Sequence, residues 1–274
     1  MHKFEPIIVG ETAAILADPH FRYGEILNDI IRIEAFARFC LKNRIPLIIC
    51  LGDWFDFPSL ADYLSAKGLQ NKTVRKDLEA GIAALKMLHK IWDDFNKKER
   101  RAGRSHNQYK PRLVLVKGNH DVRPAKIGNE NIKLADEYTE RYIDEDFLDR
   151  GWEVYQFLDI FKWQGIRFSH YFKSGSMGKA CPLTQASKNI GRSAVWGHSH
   201  KFEMLRRQVA KDDERDIWVS APAFLPEWRL QKNEDNGFLV LSDAVEGNFA
   251  LNHVSYNYLI NNYSQDVKRN RRAA

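Results

Sequence analysis

The chain has 274 residues, 44% hydrophobic and 28% charged, enough apolar material for one large core and too much for a disordered polymer. No stretch approaches the roughly 20 apolar residues that cross a bilayer, and Cys40, Cys50 and Cys181 are too few and too scattered for a disulfide framework. The net charge of +6 is uneven: positions 67–112 hold 13 Lys/Arg against five Asp/Glu, and Lys268, Arg269, Arg271 and Arg272 form a second basic block, a pattern that favours polyanions. The opening Met-His-Lys-Phe-Glu-Pro carries an acid and no long apolar run. The expectation is a cytoplasmic protein with no membrane span, in which Cys50 is a small core residue.

In chain order, apolar runs alternate with helical periodicity. Thr12 to Leu16 reads as a strand ending in Asp18-Pro19-His20, and Glu25 to Asn43 as a helix. Ile45 to Leu51 is a second strand, ending in Gly52-Asp53-Trp54-Phe55-Asp56, and Thr73 to Arg100 a second, longer helix. Leu113 to Val116 ends in Gly118-Asn119-His120-Asp121, and Glu130 to Phe147 is a weaker helical pattern. Ile166 to Ser169 ends in His170, and Ser193 to Trp196 ends in Gly197-His198-Ser199-His200. Continuous apolar runs suit strands buried on both faces, and strand–helix alternation implies parallel pairing. After Gly151 short strands predominate (152–157, 160–163, 202–209, 216–220, 238–242 and 249–255), which predicts a mixed or antiparallel second sheet.

Five polar clusters at five strand ends hold five of the nine histidines. In open α/β sheets such ends converge on one site. Asp18 and His20, two apart on an extended segment, can face one side, as can His198 and His200. Asp53 and Asn119 each follow a glycine that lets the backbone approach an ion. Carboxylates, one amide oxygen and imidazoles suit manganese, iron, zinc or cobalt better than magnesium or calcium. Seven candidate ligands exceed the needs of one ion and suit two sharing a carboxylate, an arrangement used to hydrolyse phosphate esters. No GxSxG or Walker A sequence offers another route.

The order DxH, GDxxD, GNHD, a spaced His and GHxH resembles the calcineurin-like metallophosphoesterase superfamily over about residues 12–255. The resemblance implies an α/β fold, a four-layer α/β/β/α sandwich of two mixed sheets flanked by helices. It implies a single domain over 1–260 with a basic helical insert at about 67–112, and a polar basic tail over 261–274. It implies two divalent metal ions, manganese first, with a metal-bridging hydroxide as nucleophile. Asp18, His20 and His200 match ligands of the first ion, Asn119, His170 and His198 those of the second, and Asp53 the bridging carboxylate. His120 matches the histidine that stabilises or protonates the leaving oxygen, Asp121 the carboxylate that orients it, and Asp56 a supporting or substrate-facing acid. The chain departs from the superfamily at Tyr171, where glycine often follows the spaced histidine, and at Val219-Ser220-Ala221-Pro222, where Asn-x-Gly-Ser is frequent.

The resemblance leaves the substrate open. The insert is expected at the mouth of the site, where Lys97, Lys98, Arg100, Arg101 and Arg104, interleaved with Trp92, Phe95 and Tyr109, suit a nucleic-acid backbone with stacked bases. Trp54, Phe55 and Phe57 are candidates for an apolar rim, and Arg123 and Lys173 for phosphate contacts. The expectation is therefore a phosphodiesterase or nuclease. The alternatives are a hydrolase of a small nucleotide or phosphomonoester and, more remotely, a non-catalytic binding module on the same fold.

Overall fold

The computed structural model describes residues 11–61, 72–130, 141–174, 179–208 and 215–265. Strand β1 (Ala13–Leu16), helix α1 (Ile26–Lys42), β2 (Leu47–Cys50), helix α2 (Val74–Arg101) and β3 (Arg112–Val116) alternate as the periodicity predicts. Helices α3 (Arg123–Glu130) and α4 (Arg141–Leu148) then lead to β4 (Trp152–Tyr155). The expected helix over 130–147 thus meets two short described helices, with 131–140 outside the described residues. β1, β2, β3 and β4 pair in parallel, each neighbour joined through a helical crossover. The antiparallel pair β12 (Phe238–Val245) and β13 (Asn248–Val254) extends this sheet beside β1, giving the order β13-β12-β1-β2-β3-β4.

A second mixed sheet has the order β10-β11-β9-β6-β5, from Glu203–Gln208, Arg215–Ser220, Ala194–Trp196, Ile166–Ser169 and Phe161–Trp163. The expected second sheet is mixed, but not every late strand joins it. β4, β12 and β13 join the first sheet, because β4 ends a helical crossover from β3 and β12 pairs with the edge of β1. The apolar runs leading to His170 and His198 belong instead to the second sheet, as β6 and β9.

Alternation along the strands builds two cores. Ala13, Ile15, Leu47, Ile49, Val114 and Val116 face Ile166, Phe168, Val195 and Val219 between the sheets. Ala14, Leu16, Ile48, Cys50 and Leu115 face outward against α1 and α2. Ala186 of helix α5 (Leu183–Asn189) covers Trp196 and Trp218 on the outer face of the second sheet. The molecule is a sandwich of two mixed sheets with helices on both outer faces. Cys40, Cys50 and Cys181 are buried free thiols. Among the described residues no helix is long and apolar enough to cross a membrane.

The long helix α2 is capped by the Thr73 side chain and anchored near its start, where Trp54 Nε1 donates to Gly81 O at 3.0 Å. Lys97 lies sixteen residues further on, about 24 Å along the axis. Arg112 N there donates to Pro46 O and Tyr109 Oη to Ile45 O, at the entry ends of β2 and β3. Exposed Lys97, Lys98, Arg100 and Arg101 thus sit at the opposite edge of the sheet from the five polar clusters, not at their mouth. A helix starting beside the exit of β2 must cross the whole sheet before its chain can enter β3. Trp92 and Tyr109 are buried with their polar tips on backbone carbonyls, so neither offers a face to a base. The basic tail over 266–274 lies outside the described residues.

Trp54, Phe55 and Phe57 are wholly buried rather than forming a rim. Phe55 stacks on Phe57 at 5.3 Å, and a Cβ at Gly81 would overlap the Phe55 ring. Ala gains about 1 kcal/mol over Gly inside a helix. Overpacking a buried ring costs up to about 3 kcal/mol. Gly81→Ala is expected to destabilise the fold by about 1–2 kcal/mol, read as a lower urea midpoint with unchanged m. A higher midpoint would show that the ring is free to move aside.

Candidate metal centre

All five clusters meet at one edge of the sandwich. The loops after β1 and β2 are laced together: Asp18 N donates to Gly52 O at 3.2 Å, His20 N to Asp53 O at 2.8 Å and Phe21 N to Trp54 O at 2.9 Å. The glycines at 52 and 118 allow a closer approach than predicted, of loop to loop. Gly52 has φ +86 and a Cβ there would overlap the Gly118 backbone, while a Cβ at Gly118 would overlap the Asp53 carboxylate. Asp18 Oδ2 accepts from His198 N at 2.8 Å and so ties the first sheet to the second.

The ligand-bearing segments are not extended, which corrects the reading of DxH and GHSH. Asp18, His20, Asp53, His198 and His200 have φ of 49, 45, 52, 69 and 57°. Left-handed residues without glycine cost about 1–3 kcal/mol each and collect at functional sites. Here they turn the side chains of alternate loop residues to one point.

Histidine tautomers follow from the partners. His170 Nδ1 lies 2.7 Å from Leu51 O and His200 Nδ1 3.1 Å from Glu234 Oε1. Those oxygens only accept, so each Nδ1 carries the proton and each Nε2 turns a lone pair inward. The inward His170 Nε2 lies 2.8 Å from Asn119 Oδ1 and 3.5 Å from Asp53 Oδ2, lone pair toward lone pair, and 3.2 Å from His198 Nδ1. His20 Nε2 lies 3.2 Å from His200 Nε2 and 3.7 Å from the same Asp53 Oδ2. Asp18 Oδ1 is buried, without a hydrogen-bond partner, 3.8 Å from His200 Nε2. Facing lone pairs around an orphaned carboxylate oxygen fit a cation. The groups Asp18/His20/His200 and Asp53/His170/His198 each offer ligand atoms within 4.8 Å of one another.

His120 differs. Its Nδ1 lies 2.8 Å from Asp56 O, and its Nε2 faces Arg123 Nη2 at 2.9 Å, so a guanidinium covers the inward lone pair. A third grouping, His20/Asp53/His120, is also compact enough for an ion, with His120 Nε2 3.9 Å from Asp53 Oδ2.

Asp121 does not orient His120. Its buried carboxylate accepts from Phe55 N at 3.0 Å and Gly118 N at 2.8 Å, clamping the GDWFD and GNHD loops together. Asp56 takes the orienting place instead, through its carbonyl and through Oδ1 at 3.4 Å from His120 Nδ1. The three arginines Arg22, Arg123 and Arg229 converge on Asp56, at 3.5 Å, 2.9 Å and 3.3 Å. Lys173 is exposed on β7 (Lys173–Ser174), three residues past His170. Glu234 and Arg229 carry no sequence signal. They lie in the loop after β11, where Glu234 holds His200 and Arg229 donates to His20 O at 2.8 Å.

Electrostatics match this arrangement. Burial, then Asp53, pushes Asp18 well above the usual carboxylate range and Asp121 up to about 7. Burial also pushes Asp53 up, but His170, His120 and His20 outweigh it and hold the group below its ordinary value. Burial lowers His20 and His198 to about 4, and it lowers His170 and His200 in the same sense. His120 alone is raised: burial opposes its charge, but Asp53 and Asp56 prevail. Among the cluster histidines it is the one biased to hold a proton. No family model and no curated protein matches the chain.

Two outcomes are expected. A carboxylate behind a metal-binding histidine is worth about 10–100-fold in affinity, so Glu234→Ala should weaken divalent-metal binding by that factor in a calorimetric titration. Unchanged affinity would place His200 outside the ligand set. Depressed His20 and His198 are neutral above about pH 4, whereas burial, then Asp53, keeps Asp18 protonated well above the usual carboxylate range. Metal uptake at Asp18 must expel that proton, so affinity should rise as the pH climbs above about 4, with measurable proton release. A pH-independent affinity would contradict the site.

Proposed function

We propose that the chain is a dinuclear-metal-dependent phosphoesterase with the calcineurin-like metallophosphoesterase fold. The observation that carries this reading is the convergence of inward imidazole nitrogens on Asp53 Oδ2, with one histidine, His120, held apart by an arginine. Asp18, His20 and His200 would hold one ion, Asn119, His170 and His198 the other, and Asp53 both. The nitrogen and oxygen donor set suits manganese first, with iron, zinc or cobalt as substitutes. Two such ions supply Lewis acidity toward phosphate oxygens and a water made nucleophilic near neutral pH.

The chain's own groups do the rest. Asp56 O fixes the His120 ring through Nδ1, so Nε2 is the atom that can carry a proton to the leaving oxygen. Arg123 covers Nε2 in the free protein. A substrate phosphate that draws the guanidinium onto its oxygens uncovers Nε2, and the charges of Asp53 and Asp56 favour its protonation. Binding and proton delivery are then linked through one arginine.

With manganese the protein should hydrolyse bis-p-nitrophenyl phosphate or p-nitrophenyl phosphate. No hydrolysis of either with manganese, iron, zinc or cobalt would overturn the reading. His120→Ala should keep its metal and lose about 10²–10⁴-fold in kcat, less where the leaving group is a weak base. Loss of metal in that variant would make His120 a ligand, as the third grouping allows.

A further inference from the structure

We propose that Tyr23 and Trp228 form a stacking platform for a nucleobase beside the metal centre, so that the phosphate ester it takes is a nucleotide or a single-stranded polynucleotide. The proposal rests on the phosphoesterase reading for the phosphate and on independent observations for the base. Single exposed hydrophobic residues are ordinary on protein surfaces. Here, among the described residues, three of the eight exposed large hydrophobics are aromatic: Tyr23, Trp228 and Tyr258. Tyr23 is 45% exposed and follows Arg22, whose Nη1 lies 3.5 Å from Asp56 Oδ2. Trp228 is 59% exposed and precedes Arg229, whose Nη2 lies 3.3 Å from that same oxygen. Tyr258 continues this face: its neighbour Asn257 donates to Glu227 Oε1 at 2.6 Å, and Glu227 precedes Trp228.

Both platform aromatics are therefore one residue away from a guanidinium at the carboxylate that adjoins His20 and His120. A metal centre and arginines for the phosphate, and exposed rings one residue beyond the arginines for the base, one of them beneath Lys76 Nζ at 4.7 Å, match the two ends of a nucleotide. Bases stack on aromatic side chains whatever their sequence, and arginine adds attraction to the base plane and the backbone. A lipid tail would ask for aliphatic surface, whereas the exposed large side chains next to Arg22 and Arg229 in sequence are Tyr23 and Trp228. Tyrosine and tryptophan with polar edges, set among cations, favour a base.

The test uses the full metal-loaded chain and a short fluorescein-labelled oligothymidylate. Anisotropy extrapolated to zero time reads binding, and steady-state hydrolysis reads KM. Loss of one stacked base should weaken binding by about 5- to 150-fold in Trp228→Ala and in Tyr23→Ala. Trp228→Phe, which keeps a ring, should restore most of it. Thymidine monophosphate that competes with the oligonucleotide identifies a mononucleotide ligand, and failure to compete identifies a strand; both retain the stacked base. Equal binding by wild type and Trp228→Ala overturns the platform. So does binding to phosphatidylglycerol vesicles that falls in Trp228→Ala while oligothymidylate binding does not. Because binding is read without turnover, an inactive wild type whose oligonucleotide binding still depends on Trp228 would sink the phosphoesterase reading and leave the platform standing.

Discussion

The structure turns on one buried carboxylate placed between two sets of histidines. Asp53 Oδ2 lies 3.7 Å from His20 Nε2 and 3.5 Å from His170 Nε2, in a site that also buries Asp18 and Asp121. Three carboxyls so close cannot all stay ionised without cations, and burial raises Asp18 and Asp121 accordingly. The loops accept left-handed residues at five ligand positions, and Gly52 and Gly118 give up their side chains to let those loops touch. A centre assembled at such backbone cost is pre-organised, with ligand atoms already facing inward.

Around it the histidines divide by what anchors the outer nitrogen. His170 and His200 each give Nδ1 to an oxygen from a different part of the chain: the end of β2 and the loop after β11. Each anchor fixes both tautomer and ring plane, so the inner Nε2 is a lone pair in a set direction. His120 has the same kind of outer anchor, but a cation stands at its inner nitrogen. That one difference separates a group suited to hold metal from one suited to hold a proton.

Much of the centre was legible because each candidate ligand follows an apolar run, and strands buried on both faces end where their polar residues begin. Parallel pairing of the first three strands followed from the helices between them. What was not legible depends on long-range closure. Nothing in Lys232-Asn233-Glu234-Asp235 marks Glu234, because its role comes from a loop folding back onto His200. Asp121 neighbours His120 in sequence, yet the turn of GNHD aims it at backbone amides and leaves Asp56 to face the imidazole. The basic run at 97–101 belongs to an insert that starts at the site, but helix length carries its charge to the other edge. Aromatic residues misled in the same way: Trp54, Trp92 and Tyr109 sit beside polar motifs in sequence, and their rings fill the core in space.

The two flanks of the centre are unlike, and this bears on how a substrate approaches. Next to His170 and His198 stand rings: Tyr171 packs on His198 at 4.7 Å and Phe157 on His170 at 6.2 Å. Next to His20 and His120 stand cations, and burial, then Arg32, lowers Arg229 only to about 10, so it remains charged at neutral pH. On the phosphoesterase reading, an anionic ester would be drawn to the second flank. Arg229 is committed to His20 O, Asp56 and Glu25 and shapes the wall. Arg22 is paired with Glu25 and Asp56. Arg123 touches a carbonyl and a neutral nitrogen, so among the three it loses least by moving onto a phosphate. On the same reading, the arginine best able to move is the one covering the nitrogen that would deliver a proton, and the flank that would attract the ester is also the one that would ready the leaving-group side.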